Sequence, residues 1–221
     1  MVLPFDRILF ISLKNSNGLN RRKKLIEQFE TLQIVDLKGQ KPEWVIADNG
    51  SKPNHIIDNS YRKQKLRRGS VSMSEIGCFQ SHRKVWNLFY ESGLETCLIL
   101  EDDALFSDLS IFETWDKMPE WDFVNFGLIT NRASIENTIQ LYKQEFFHGL
   151  WSGSGMWLTH AYAINQTGCK ILLEETQIQR GGLDWQLTGI QSKFKTFGFN
   201  PGRIVQRPVS FSNPSQIHHT S

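Results

Sequence analysis

The chain has 221 residues, 39% hydrophobic and 22% charged, with a formal net charge of +2. That balance excludes a disordered chain and argues against a nucleic-acid binder. The three cysteines, Cys78, Cys97 and Cys169, show no CxxC or Cys/His metal spacing and read as buried free thiols of a reducing compartment. The opening MVLPFDRILFISLK is interrupted by Asp6 and Arg7, so it is too short and broken for a signal peptide or membrane span. A cytoplasmic protein, free or at the cytoplasmic face of a membrane, is the expectation.

RILFISL, residues 7–13, predicts a first buried strand. Asn20 is a candidate N-cap for a helix over about residues 21–32, with Leu25, Ile26, Phe29 and Leu32 on one face. PEWVIADNG predicts a short strand that ends in an Asn-Gly turn. Residues 50–70 are polar and basic and are expected to form a loop. A helix follows from near Ser74, capped by Ser72 or Ser74, with Glu75 in its first turn and Gly93 as its stop. TCLILEDD, DFVNFGLIT and WLTHAYAIN predict further strands. Helices are expected from about Gln166 to Glu175 and in GLDWQLTGIQSKF, then a late strand and turn in FKTFGFNPGRIVQ. Strands and helices alternate, which predicts an α/β sheet in a single domain over residues 1–221, with a tail from about 209.

The stretch CLILEDDALF places Glu101, Asp102 and Asp103 at the end of an apolar strand. Three adjacent carboxylates repel one another, and burying them costs several kcal/mol per ion, on the order given for any desolvated charge. A divalent cation with hard oxygen ligands, Mg²⁺ or Mn²⁺, resolves the conflict. The carboxyl ends of strands are also where open α/β sheets bind ligands. Strand alternation sends Glu101 and Asp103 to one side and Asp102 to the other. Asp103 is therefore the first expected metal ligand, with Glu101 or Asp102 beside it. The competing reading is a solvated acidic turn.

SVSMSEIGCFQSHRKVW followed by CLILEDDALF resembles glycosyltransferase family 25. Ser72, Glu75, Gly77, Cys78, Ser81, His82 and Trp86 fill the first motif, and Leu98 to Asp103 the second. The segments ILFISLKNSNGLNRRKKL, WVIADNG, THAYAINQTGCKILLE and GLDWQL are similar to other parts of that family, so the resemblance runs from about residue 7 to 208. It implies a GT-A-like, Rossmann-like mixed sheet flanked by helices. It also implies a UDP-sugar donor, most commonly UDP-galactose, a metal that is usually Mn²⁺, inversion at the anomeric carbon, and a role in lipopolysaccharide or other glycan biosynthesis.

Several residues carry roles under this reading. Asp184, in RGGLDWQL, is a candidate general base for the acceptor hydroxyl; its bland role is a helix cap. Arg21 or Arg22 would contact the donor, since a guanidinium suits diphosphate, but the same residues fit a solvated helix face. Glu75, Ser81, His82 and Asp102 are further candidates on the donor side; capping, packing and a hydrogen-bonded core histidine are their alternatives. His218 or His219 would complete the metal shell. Gly77 and Cys78 read as close packing. The basic run YRKQKLRRG, residues 61–69, fits a solvated loop or contact with an anionic membrane surface or an anionic acceptor. The partners implied are a UDP-sugar and a carbohydrate or hydroxylated acceptor. The rival functions are a catalytically weak nucleotide-sugar-binding module and a Mg²⁺-dependent phosphohydrolase.

Overall fold

Local sequence sets most of the elements. In the computed structural model, which describes residues 1–66, 69–127, 142–145, 149–153, 158–199 and 202–207, strand β1 spans Arg7–Ser12 and helix α1 Ser16–Thr31. The cap of α1 is Asn15, whose Oδ1 accepts from Gly18 N at 2.9 Å, and not Asn20. The helix therefore begins about a turn earlier than the sequence suggests. Gly18 permits this start, because a Cβ there would lie 2.0 Å from the Leu13 carbonyl oxygen. Strand β2 is Glu43–Ile46. The region expected as a loop contains a short strand β3, Ile56–Ile57, and helix α2, Asn59–Leu66. Asp58 explains the helix: its Oδ1 accepts from Ser60 N, Ser60 Oγ and Tyr61 N, satisfying donors that the first turn leaves free.

Helix α3, Met73–Ser92, carries a complete capping box. Glu75 N donates to Ser72 Oγ, and Ser72 N donates to Glu75 Oε2 at 2.8 Å. Gly93 ends the helix in the left-handed conformation at φ +66°, which only glycine adopts at no steric cost. Strands β4 (Thr96–Glu101), β5 (Ala104–Phe106), β6 (Phe123–Asn125), β7 (Tyr142–Glu145), β8 (Leu150–Gly153) and β9 (Ala161–Asn165) follow. Helix α4 spans Gln166–Glu175, β10 Ile178–Gln179, α5 Leu183–Ile190, β11 Thr196–Phe199 and β12 Ile204–Gln206. The expected strand ends 128–130 and the tail from 209 lie outside the described residues.

The main sheet has eight strands in the order β2-β1-β4-β9-β6-β11-β8-β7. β2, β1 and β4 run parallel, while β9 lies antiparallel between β4 and β6, so the sheet is mixed. Alternation along β1 and β4 splits the core into two layers. Ile8, Phe10, Leu98 and Leu100 pack with Leu25 and Phe29 of α1. Leu9, Ile11, Cys97 and Ile99 pack with Phe79, Val85, Trp86 and Phe89 of α3. Burial on both faces is why these strands read as continuous apolar runs. The fold is thus α/β, a mixed sheet flanked by helices on both sides. No helix among the described residues is long and apolar enough to cross a membrane.

Candidate active site

Three parallel strands end at the same rim, and a cleft of about 220 Å³ opens there. Ile11, Ser12 and Leu13 reach it at the end of β1, Ala47, Asp48 and Asn49 from the turn after β2, and Glu101, Asp102 and Asp103 where β4 ends and the chain turns. Arg21 of α1 and Gln206 of β12 close two sides; Gly77, Cys78, Ser81 and His82 of α3 close another. Gly77 makes the α3 wall close: a Cβ there would stand 2.6 Å from Asp48 O and 2.9 Å from Gly50 N. Ser81 ties the same wall, since its Oγ accepts from Asp48 N at 2.8 Å and donates to Gly77 O at 2.6 Å.

All three acids meet in this cleft, although alternation separates them on paper. The strand stops at Glu101 and the chain turns, so period-two geometry no longer holds for Asp102 and Asp103. Asp102 turns to α1, where Arg21 Nε lies 3.0 Å from its Oδ1. Asp103 turns to β12, where Gln206 Nε2 donates to its Oδ2 at 2.9 Å. Glu101 turns to α3, where His82 Nε2 is 3.2 Å from its Oε1.

The remaining oxygens of the two aspartates are poorly satisfied, with only the Ser12 hydroxyl acting on Asp102. Asp102 Oδ2 and Asp103 Oδ1 are buried and unbonded. Buried acceptors left unpaired are costly, so they mark a missing donor or cation. Burial pushes the Asp102 carboxyl up to about 7, against the attraction of Arg21. Burial and the neighbouring Glu101 charge raise Asp103 as well. This donor set of hard oxygens fits Mg²⁺ or Mn²⁺, which would take the place of those protons.

Glu101 is the exception. Burial raises its pKa, but the hydrogen bond and charge of His82, with the bond from Thr159, outweigh that and hold it at about 2. Thr159 Oγ1 lies 2.7 Å from Glu101 Oε1 and 3.0 Å from Asp184 Oδ1. Asp184 therefore stands one hydroxyl away from the acids of the cleft. It sits in the first turn of α5, but the cap of that helix is the Gly182 backbone, with no side-chain cap bond. Burial and the Glu101 charge raise its pKa. Gly181 and Gly182 serve packing here: a Cβ on Gly181 would meet Trp185 at 3.0 Å, and one on Gly182 would lie 3.4 Å from Glu75 Oε1.

The two arginines separate. Arg21 faces the cleft. Arg22 turns away: its Nη1 donates to Leu13 O at 3.0 Å and Ser12 Oγ at 3.3 Å, and its guanidinium lies 3.7 Å over the Trp44 ring. Glu75 is engaged in the α3 cap through Oε2. His82 is 1% exposed and shares its Nδ1 with Tyr162 Oη at 2.7 Å, while Trp86 Nε1 donates to the same hydroxyl at 2.8 Å. His160 is bonded through Nε2 to Ile204 O at 2.9 Å. His218 and His219 lie outside the described residues, as do Arg67 and Arg68 of the basic run.

Three participants went without a role in the sequence reading. Thr159 was visible only as the first letter of THAYAI. Gln206 carried no local signal. Cys78, expected as packing, is half-buried and lines the cleft. Among the described residues, Cys78, His82 and Glu101 each offer a ligand atom within 4.8 Å of the others.

The family model described as "Glycosyltransferase family 25 (LPS biosynthesis protein)" matches residues 5–183. The chain belongs to glycosyltransferase family 25. Among curated relatives, Procollagen galactosyltransferase 1 of Danio rerio is 26% identical over 190 residues, covering 80% of this chain and 30% of that protein. Inactive glycosyltransferase 25 family member 3 of Homo sapiens is 22% identical over 186 residues, covering 80% of this chain and 30% of that protein. This chain thus spans about 30% of the length of the relatives it matches. Among solved structures, A197 from STIV matches at a TM-score of 0.44 and 16% identity, over 97% of this chain and 100% of that one. The two stretches that carry the resemblance, Ser72 to Trp86 and Leu98 to Asp103, both lie within the matched residues and contribute the α3 and β4 walls of the cleft.

Proposed function

We infer that this chain is a metal-dependent, inverting glycosyltransferase of GT-A type, formed as a single domain, that moves galactose from UDP-galactose to a hydroxyl of a glycan or hydroxylated acceptor. One observation carries this reading: Asp102 and Asp103 are buried at the strand ends of the cleft, each with an oxygen that has no partner. Membership of the family and the galactosyltransferase names of its relatives support the reaction and the sugar.

Asp103 and Asp102 would hold the cation, with Glu101 beside them. A bound Mn²⁺ or Mg²⁺ would supply positive charge against the leaving diphosphate. Arg21, on the same wall, adds a fixed guanidinium toward the donor. Ser81 and His82 shape the donor side by holding the Asp48 turn and Glu101. Asp184 takes the proton of the acceptor hydroxyl while the new bond forms at the anomeric carbon and the bond to diphosphate breaks. Burial raises its pKa, which makes its carboxylate a stronger proton acceptor than an ordinary aspartate.

A catalytically weak nucleotide-sugar-binding module is the second reading. The relative named inactive favours it, as does the position of Asp184, one hydroxyl behind the cleft's own lining residues. Titration calorimetry with UDP and Mn²⁺, followed by a transfer assay with UDP-galactose, separates the two. Mn²⁺-dependent UDP binding lost in Asp103→Ala, together with transfer, supports the enzyme. Binding without transfer supports the module. No UDP binding, with or without Mn²⁺, refutes both.

A further inference from the structure

We propose that Cys78, His82 and Glu101 form a second cation site in the cleft, built for zinc or another thiophilic divalent ion and chemically distinct from the oxygen site of Asp102 and Asp103. Cys78 and His82 are four residues apart on α3, so they share one face of the helix and point the same way. Glu101 arrives from the end of β4. Helix and strand are both fixed, the helix by its capping box and the strand by paired neighbours on either side.

The geometry suits a tetrahedral ion. His82 Nε2 and Glu101 Oε1 are 3.2 Å apart. Two ligands at ordinary zinc distances on a tetrahedron are separated by about 3.4 Å. The Cys78 ligand atom lies within 4.8 Å of both, and a shift of about 1 Å by its half-buried side chain would reach the zinc–thiolate distance. The fourth position opens to the cleft, since all three residues line it.

The surroundings also fit. A histidine that ligates through one nitrogen holds its other nitrogen on a partner. His82 Nδ1 has that partner in Tyr162 Oη at 2.7 Å. Binding requires a thiolate at Cys78 and an unprotonated Nε2 on His82, so ion uptake releases protons. The thiolate, imidazole and carboxylate set favours zinc over Mn²⁺, which prefers oxygen. An ion held here would draw Glu101 from Thr159, the hydroxyl that also bonds Asp184, so zinc would inhibit the transfer proposed above. The site itself stands independently of that function.

The test is optical and needs no turnover. Co²⁺ is titrated into the full chain under a phosphine reductant, and the near-ultraviolet thiolate-to-cobalt band is recorded. The band should appear, vanish in Cys78→Ser, persist in Asp103→Asn, and be displaced by Zn²⁺ and not by Mn²⁺. Circular dichroism checks that Cys78→Ser is folded; Cys97→Ser is the control and should keep the band. No band in the native chain, or a band that survives Cys78→Ser, overturns the proposal. Neither result would alter Mn²⁺-dependent UDP binding, so the two readings fail separately.

Discussion

Thr159 and Asp184 are bonded side chain to side chain, at 3.0 Å, and the same Thr159 hydroxyl lies 2.7 Å from Glu101. A hydroxyl has one proton to donate, so it cannot serve two ionised carboxylates at once. Glu101 is the carboxylate held ionised, at about 2, while Asp184 is shifted upward. The arrangement is satisfied in full when Asp184 carries a proton, donates it to Thr159, and Thr159 donates to Glu101. That is the state reached after Asp184 takes the acceptor's proton.

Thr159→Val keeps the shape and removes the hydroxyl. A hydrogen bond to a charged group contributes about 1.5–3 kcal/mol, so kcat for transfer should fall about 10–100-fold. UDP affinity should stay within a factor of about two of the native chain, because Thr159 is not in the donor wall. Equal losses in kcat and UDP affinity would mean that Thr159 merely supports the cleft.

Asp184→Asn should abolish transfer by about 10²-fold or more while calorimetry still shows UDP binding. Full activity in this variant would remove Asp184 as the base.

The unpaired aspartates predict an unusual pH dependence for the metal-free chain. Asp102 has an ordinary value of 3.8 and is pushed to about 7 in the fold by burial. Between those values the folded state binds more protons than the unfolded one. Stability should therefore fall as pH rises from about 4 to 7 and level off above that. Thermal melting across this range checks the slope. Asp102→Asn should flatten it, and the slope should shrink in saturating Mn²⁺. A metal-free chain whose stability rises over the same range would contradict the burial of Asp102.

Arg21 and Arg22 should separate cleanly. Arg21→Ala is expected to weaken UDP binding, since it removes the guanidinium that faces the cleft. Arg22→Ala should leave UDP binding near native but lower stability by about 1–3 kcal/mol, through loss of its buried bonds and its stacking on Trp44. Denaturant melts and calorimetry on both variants measure the difference.

Gly77→Ala adds only a methyl, but it would meet the Asp48–Gly50 backbone at under 3 Å. Backbone cannot rotate away as a side chain can, so the α3 wall must separate from the turn after β2. A loss of about 1–3 kcal/mol is expected, with weaker UDP binding. Native stability in this variant would show that the two walls are not locked.

Much of the fold was legible because it is set by local physics. The capping box of α3, its glycine stop and the apolar runs of β1 and β4 depend on neighbours in sequence. Where reading failed, the competing signal was also local but equivocal. Two asparagines, Asn15 and Asn20, flank the start of α1, and only the close approach of Gly18 to Leu13 favours the first. Asp58 caps α2 within a polar stretch whose composition reads as loop.

The sequence by itself determined the α/β class, the family and the acids at the end of β4, because motif and periodicity are linear properties. It could not say which way each acid turns. Alternation stops with the strand, and Arg21, Gln206 and His82, which receive Asp102, Asp103 and Glu101, come from three separate elements. It could not distinguish Arg21 from Arg22 either, since adjacent residues differ only in which face of α1 they occupy. Tertiary structure alone decided that Thr159 joins Glu101 to Asp184. That contact spans 58 residues on one side and 25 on the other, and no local rule encodes a distance of that kind.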